Sequence, residues 1–357
     1  MRLLVLLAVY ITCTVCLNAP VSFSAADLEI QPISLQGTNL VVYAASVSVP
    51  SNAQFIYIAY GTAASPLNQY LQNGFAEIPV GPSVKFQLTQ KGLFTSNLIR
   101  GIVFYVVDLP LNQPTHMPNI ISQKDLTDPN GLVATVSAAI PLVILLPTDI
   151  YTALGVTIAS ANVTAGTQMD VQLLNGPQAL PLYSITKDSS AQWQNVNVFG
   201  SVIRVQPTNG TLGNVVIKGT TQEYTNYNRD VELNDQGIVM SPSYNYAVSS
   251  AYALYVTLSS KTGKKVKFNV EIVSVDDSLG KLTITDSDNA TYLQYKDNGL
   301  TAPNFRIPNG IVAQKLIIKY DALANSQGLL IRYSVEKGSA SISVFIATVF
   351  AIVYLLF

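Results

Sequence analysis

Residues 265–272 read KVKFNVEI. Val266, Phe268, Val270 and Ile272 alternate with Lys265, Lys267, Asn269 and Glu271. A two-residue period of this kind marks a strand buried on one face. Leu282-Thr283-Ile284 continues it, and Leu316–Tyr320 and Leu329–Tyr333 are further apolar runs of strand length. Asn-Gly pairs beginning at Asn73, Asn130, Asn175, Asn209, Asn298 and Asn309 supply the positive φ angles of tight turns. No long stretch has a 3.6-residue apolar period outside the two ends. The pattern predicts an all-β chain of antiparallel strands, with apolar helical segments only at the termini.

The strands repeat. Val156-Thr-Ile-Ala-Ser160, followed by Gly166, has a counterpart 114 residues on in Val270-Glu-Ile-Val-Ser274, followed by Gly280. Ile56 and Ile58 correspond to Leu282 and Ile284 at an offset of 226, twice 113, and Gly101–Tyr105 plays the part of Gly328–Arg332. A period near 114 is the size of one domain. The expectation is three tandem β-sandwich modules. They are residues 27–110, degenerate and without opening strands, then 120–222 and 236–336.

The two ends set the compartment. Arg2 is followed by the apolar run Leu3–Cys16, and small residues follow, as in a secretory signal. Cleavage is expected after Cys16 or, with residues 1–26 as the leader, after Ala26. At the other end Ile342–Phe357 is wholly apolar, and Gly338, Ser339, Ala340 and Ser341 precede it. Residues 338–357 therefore read as a GPI-attachment signal, with Gly338 or Ser339 as the attachment residue, or as a short single membrane span. Cys13 and Cys16 are the only cysteines, so a chain cut after Cys16 has no disulfide. Three sequons, at Asn162, Asn209 and Asn289, fit an exported chain.

The opening of the third module, Gly237-Ile-Val-Met-Ser241-Pro242-Ser-Tyr244, resembles the first strand of a CUB domain. Strands 253–258 and 265–272, Leu282-Thr-Ile-Thr-Asp286, and Gly328–Tyr333 follow in the CUB order. The resemblance covers 236–336 well and the second module weakly. It implies jelly-roll-type antiparallel sandwiches that recognise an extracellular protein or carbohydrate. The chain is similar to the CUB-like surface proteins abundant in nematodes, which implies a setting in epithelial or innate defence. It departs from the family in two respects. The module has no cysteine, and Gly280 and Asp321-Ala322 stand where the calcium-binding members place carboxylates. Asp276, Asp277, Asp286 and Asp288 remain as weak calcium candidates, and the expectation is no metal and no cofactor.

Catalytic chemistry is sparse. His116 is the single histidine, in a Pro-bounded segment, and no G-x-S-x-G, phosphate-binding glycine loop or H-E-x-x-H occurs. The 20 basic and 21 acidic residues are balanced and unclustered, which excludes nucleic acid. The Lys261–Lys267 run reads as a hairpin tip. The expectation is a non-enzymatic protein on the outer leaflet of the plasma membrane. It would bind an extracellular protein or glycan, or else act as a structural coat. Tyr224, Tyr227, Tyr244, Tyr246, Tyr252 and Tyr255 cluster near the last module boundary. Of these, Tyr224, Tyr227 and Tyr246 are the candidate contact residues.

Overall fold

The computed structural model describes residues 14–16, 19–25, 27–46, 51–90, 101–109, 117–147, 155–175, 178–189, 193, 196–209, 213–220, 226–241, 244, 251–276, 278–295, 305–324 and 326–338. The apolar runs expected as leader and tail lie almost wholly outside these residues. Helix among the described residues is limited to α1, Asp27–Ile30, and short 3₁₀ turns. The protein is all-β, built from tandem antiparallel sandwiches. It divides into two compact units, Met1–Thr221 and Gln222–Phe357.

The first unit opens with β1 (Thr14–Cys16), β2 (Val21–Ser24), β3 (Ile33–Ser46), β4 (Ile56–Tyr60), β5 (Ala63–Pro66), β6 (Phe75–Leu88) and β7 (Ile102–Asp108). The sheet order is β2-β7-β3-β6-β4-β5, with β1 parallel to β3. β3 and β6 are 14 residues each and turn a corner together. The register between them slips from Gln36 to Leu40, and opposite Leu40 is Gly81, whose φ of 78° favours glycine. The Asp108 carboxylate braces the corner by accepting from the Thr38 and Asn39 amides, 2.7 Å each. One half of the sheet thereby closes over the other. Phe23 stacks on Phe104 and meets Phe86 edge-on, both at 4.9 Å, in the shared core.

A paired strand, β2, lies before residue 27. β2 pairs Val21–Ser24 with Val106–Val103 and buries Val21 and Phe23. Cleavage after Ala26 would remove it; cleavage after Cys16 removes only β1. VSFS is hard to read as a strand because it lies only four residues beyond the apolar run Leu3–Cys16, inside the stretch that the Ala26 cleavage would make leader.

The second module contains β8 (Asn119–Ser122), β9 (Leu132–Val136), β10 (Leu142–Leu145), β11 (Gly155–Asn162), β12 (Gln168–Asn175), β13 (Gln178–Thr186), β14 (Asn197–Phe199), β15 (Val202–Pro207) and β16 (Gly213–Thr220). They form sheets β13-β12-β15-β10-β8 and β14-β11-β16-β9. The second unit contains β17 (Asn226–Val231), β18 (Gln236–Met240), β19 (Tyr252–Ser260), β20 (Val266–Val275), β21 (Gly280–Asp286), β22 (Thr291–Tyr295), β23 (Phe305–Arg306), β24 (Ile311–Ala313), β25 (Lys315–Ala322) and β26 (Leu329–Lys337). Its sheets are β17-β19-β25-β21-β22 and β18-β26-β20-β23, with β24 also on β20. β17, ahead of residue 236, pairs with β19 in the first of these sheets.

The two strand orders are the same. The parallel pair β8–β10 recurs as β17–β19. The irregularity between Ile158 and Ser160 in β11 recurs 114 residues later between Ile272 and Ser274 in β20. The first module follows the same plan with two fusions. β3 does the work of both β19 and β20, and β6 that of both β24 and β25.

In the first unit a second core joins the modules. Val41, Tyr43, Ala45, Val103 and Tyr105 face out of module one and meet Val143, Leu145, Leu174 and Val202 of module two. Strands buried on both faces lose their alternation. That accounts for the unbroken runs LVVYAA at 40–45, IVFYVV at 102–107 and LVIL at 142–145.

Candidate functional site

The residues that differ between equivalent faces locate the candidate site. In module two, Leu142 and Ile144 of β10 point inward and pair with Val205 and Ile203. In module three, Val256 and Leu258 pair with Ile318 and Leu316 in the same way. The outward positions between and after these pairs are Val143, Arg204, Leu145 and Val202 in module two. In module three they are Thr257, Ile317, Ser259 and Lys315. The face that module one covers is largely apolar, and its counterpart in the second unit is largely polar.

On that counterpart face Tyr255 is 40% exposed. Leu254, Val256 and Leu258 point into the core, so the strand's alternation turns Tyr255 outward. Asn226 and Lys319 are its cross-strand neighbours, and Thr283 is the next residue in the row. Thr257, Thr285 and Ile317 form the row below and are half-buried. Lys319 pairs with Asp321 at 3.1 Å. The surface offers hydroxyls, one aromatic ring and a paired charge.

The tyrosine expected at this boundary to make contacts faces the other way. Tyr227 is half-buried and packs on the third-module core with Val231. Burial and neighbouring Tyr333 raise its pKa, and Arg229 opposes them. Tyr244 is buried, which likewise raises its pKa, and Tyr252 sits edge-on to Tyr320 at 6.3 Å. Tyr224 and Tyr246 lie outside the described residues. Trp193 is buried and stacked on Tyr183 at 4.2 Å. His116 lies outside the described residues.

The acidic candidates hold turns. Asp286 accepts from the Asp288 and Ala290 amides at 2.8 and 2.9 Å and from the Tyr292 hydroxyl at 2.8 Å. Burial would raise its pKa, but the Tyr292, Ala290 and Asp288 donors and Lys265 outweigh that and lower it. Asp276 accepts from Ser278 Oγ, the Leu279 amide and the Gln327 amide. Burial raises its pKa as well, and the Gln327, Ser278, Leu279 and Ser326 hydrogen bonds bring it below the ordinary value. The two residues belong to opposite ends of β21, about 20 Å apart at ~3.3 Å per residue. Asp288 is exposed beside Lys265 at 3.7 Å, and Asp277 lies outside the described residues. No cluster of three or more His, Cys, Asp or Glu side chains that could hold a metal occurs among the described residues. The thermal midpoint is expected to be the same in chelator and in millimolar calcium. A rise of several degrees with calcium would make these carboxylates ligands.

Gly280 has a steric reason. A Cβ there would overlap the hydroxyl and ring of Tyr320. The buried Tyr320 hydroxyl donates to the Asp276 carbonyl at 2.9 Å and is hydrogen-bonded to Ser326 Oγ at 2.7 Å. A phenol fills the space that a carboxylate at position 280 would need.

The sequon asparagines Asn162, Asn209 and Asn289 are all exposed. Asn162 ends β11, Asn209 follows β15, and Asn289 has φ 62° in the β21–β22 turn. Gly338 packs at the end of β26, where a Cβ would lie 3.1 Å from the Lys265 carbonyl oxygen; Ser339 is outside the described residues. No helix among the described residues is long and apolar enough to cross a membrane.

No family model matches the chain, and no curated protein matches it. Solved structures similar to it include the CUB1-EGF-CUB2 domains of rat MASP-1, at 9% identity and a TM-score of 0.23. That match covers 60% of this chain and 99% of the other. The corresponding human MASP-1/3 domains give 9% identity and a TM-score of 0.22, covering 57% and 92%. A fucolectin from striped bass (Morone saxatilis) serum gives 10% identity and a TM-score of 0.18, covering 58% and 97%. These similarities concern the fold alone.

Proposed function

We propose that this is a non-enzymatic, glycosylated protein on the outer face of the plasma membrane, exported by its N-terminal leader. It is held there by a lipid anchor at Gly338 or Ser339, or by the short apolar tail. Its third module binds an extracellular protein or glycan, in the defence setting that the nematode CUB-like resemblance implies. The supporting observation is the largely polar outward face around Tyr255, at positions where module two is apolar and covered. The face is open sheet, which suits a macromolecular partner better than a small ligand needing a concave site.

The test is binding of the purified protein to glycan arrays and to displayed cell-surface proteins. Tyr255→Ala is expected to weaken a saturable interaction about tenfold, near 1.4 kcal/mol, with an unchanged melting temperature because the ring is exposed. Self-association without a saturable ligand would favour the structural-coat reading.

A further inference from the structure

We infer that the end of the third module at which β26 finishes rests directly on lipid headgroups; this builds on the membrane attachment proposed above. Strand directions define that end. β26 descends to Lys337 opposite Val266, where β20 begins. β17 and β19 run parallel and finish together at Val231 and Ser260. β21 ends at Asp286 opposite Leu316, near the start of β25. One end therefore collects the 232–235 turn, the 261–265 hairpin tip, the 287–290 turn and Gly338. Four residue steps separate Gly338 from the apolar run at Ile342, at most about 14 Å of extended chain. A tail in the bilayer brings these turns to its surface through that short link, and a lipid anchor joined at Gly338 or Ser339 tethers the module by the same end.

The side chains there suit a headgroup layer. Lys261, Lys264, Lys265, Lys315 and Lys337 are exposed, as are the apolar Leu233 (50%) and Val312 (40%). Lys261 pairs with Glu232 and Lys265 with Asp288. Lys264, Lys315 and Lys337 have no ion pair among the described residues. Lysine stems bury their methylenes at an interface while the ammonium groups reach phosphate. Asp235 and Glu336 share this end, so its charge is close to balanced. The chain's exit point, not electrostatic attraction, sets the contact. The far end, with Asp276, Ser278 and Leu323, points away from the membrane, and the Tyr255 face lies to the side.

The test is lysine footprinting of the full chain, anchored in phosphatidylcholine vesicles, with a membrane-impermeant N-hydroxysuccinimide ester. Labelling is compared before and after release by a phosphatidylinositol-specific phospholipase, or by detergent if the tail spans. Lys261, Lys264, Lys265, Lys315 and Lys337 are expected to gain several-fold in labelling on release, while Lys281 and Lys319 stay constant. Equal labelling of all seven in protein that floats with the vesicles overturns the orientation alone. Protein that does not float with the vesicles overturns the attachment, and the orientation with it.

Discussion

A chain that starts at Asp27 is expected to lose the fold of its first unit, whereas one that starts at Leu17 keeps it. The shorter chain lacks β2, and with it Val21, Phe23 and Ala25 from the core. Emptying a core phenylalanine site alone costs about 3–5 kcal/mol, against a typical net stability of about 5–15 kcal/mol. The damage should reach module two, because the face carrying Val143, Leu145, Leu174 and Val202 depends on module one for cover. Trp193, the sole tryptophan, lies in module two and reports on it. Its emission is expected to shift to the red in the Asp27 chain, with a loss of strand signal in circular dichroism. Equal melting curves for the two chains would show that β2 is dispensable and would restore cleavage after Ala26.

Gly280→Ala is the second large effect. The added methyl group would run into Tyr320, which is fully buried and fixed by Asp276, Ser326 and Tyr252. Overpacking costs about 1–3 kcal/mol, and a displaced buried hydroxyl adds about 1–3 kcal/mol. For a unit of this size the melting temperature should fall by roughly 10 °C or more. Measured in a Tyr320→Leu background, the same substitution should cost much less, because the two side chains compete for one space. Strictly additive costs would refute the steric account.

The sequence showed strand phase and repetition clearly. The alternation through Val266, Phe268, Val270 and Ile272 gave the buried face of β20, and the 114-residue spacing reappears as a shared irregularity opposite β16 and β26. The same reasoning applied to β19 would have placed Tyr255 outside. Clustering along the chain pointed instead to Tyr227, whose strand turns it inward. The apolar outer face of module one was hidden for another reason. A run such as LVVYAA is equally a strand of a single sandwich and a strand shared by two, and only the partner face decides. The roles of Asp276 and Asp286 were illegible because their partners are backbone amides and hydroxyls that the turns bring into place.

The apolar seam between the first two modules also limits how this architecture can be recombined. Copying module two alone into another chain would carry Val143, Leu145, Leu174 and Val202 into water as a sticky patch. The pair must be moved as one cassette. The third module has polar residues at the matching positions and is the part suited to being exchanged, duplicated or fused on its own.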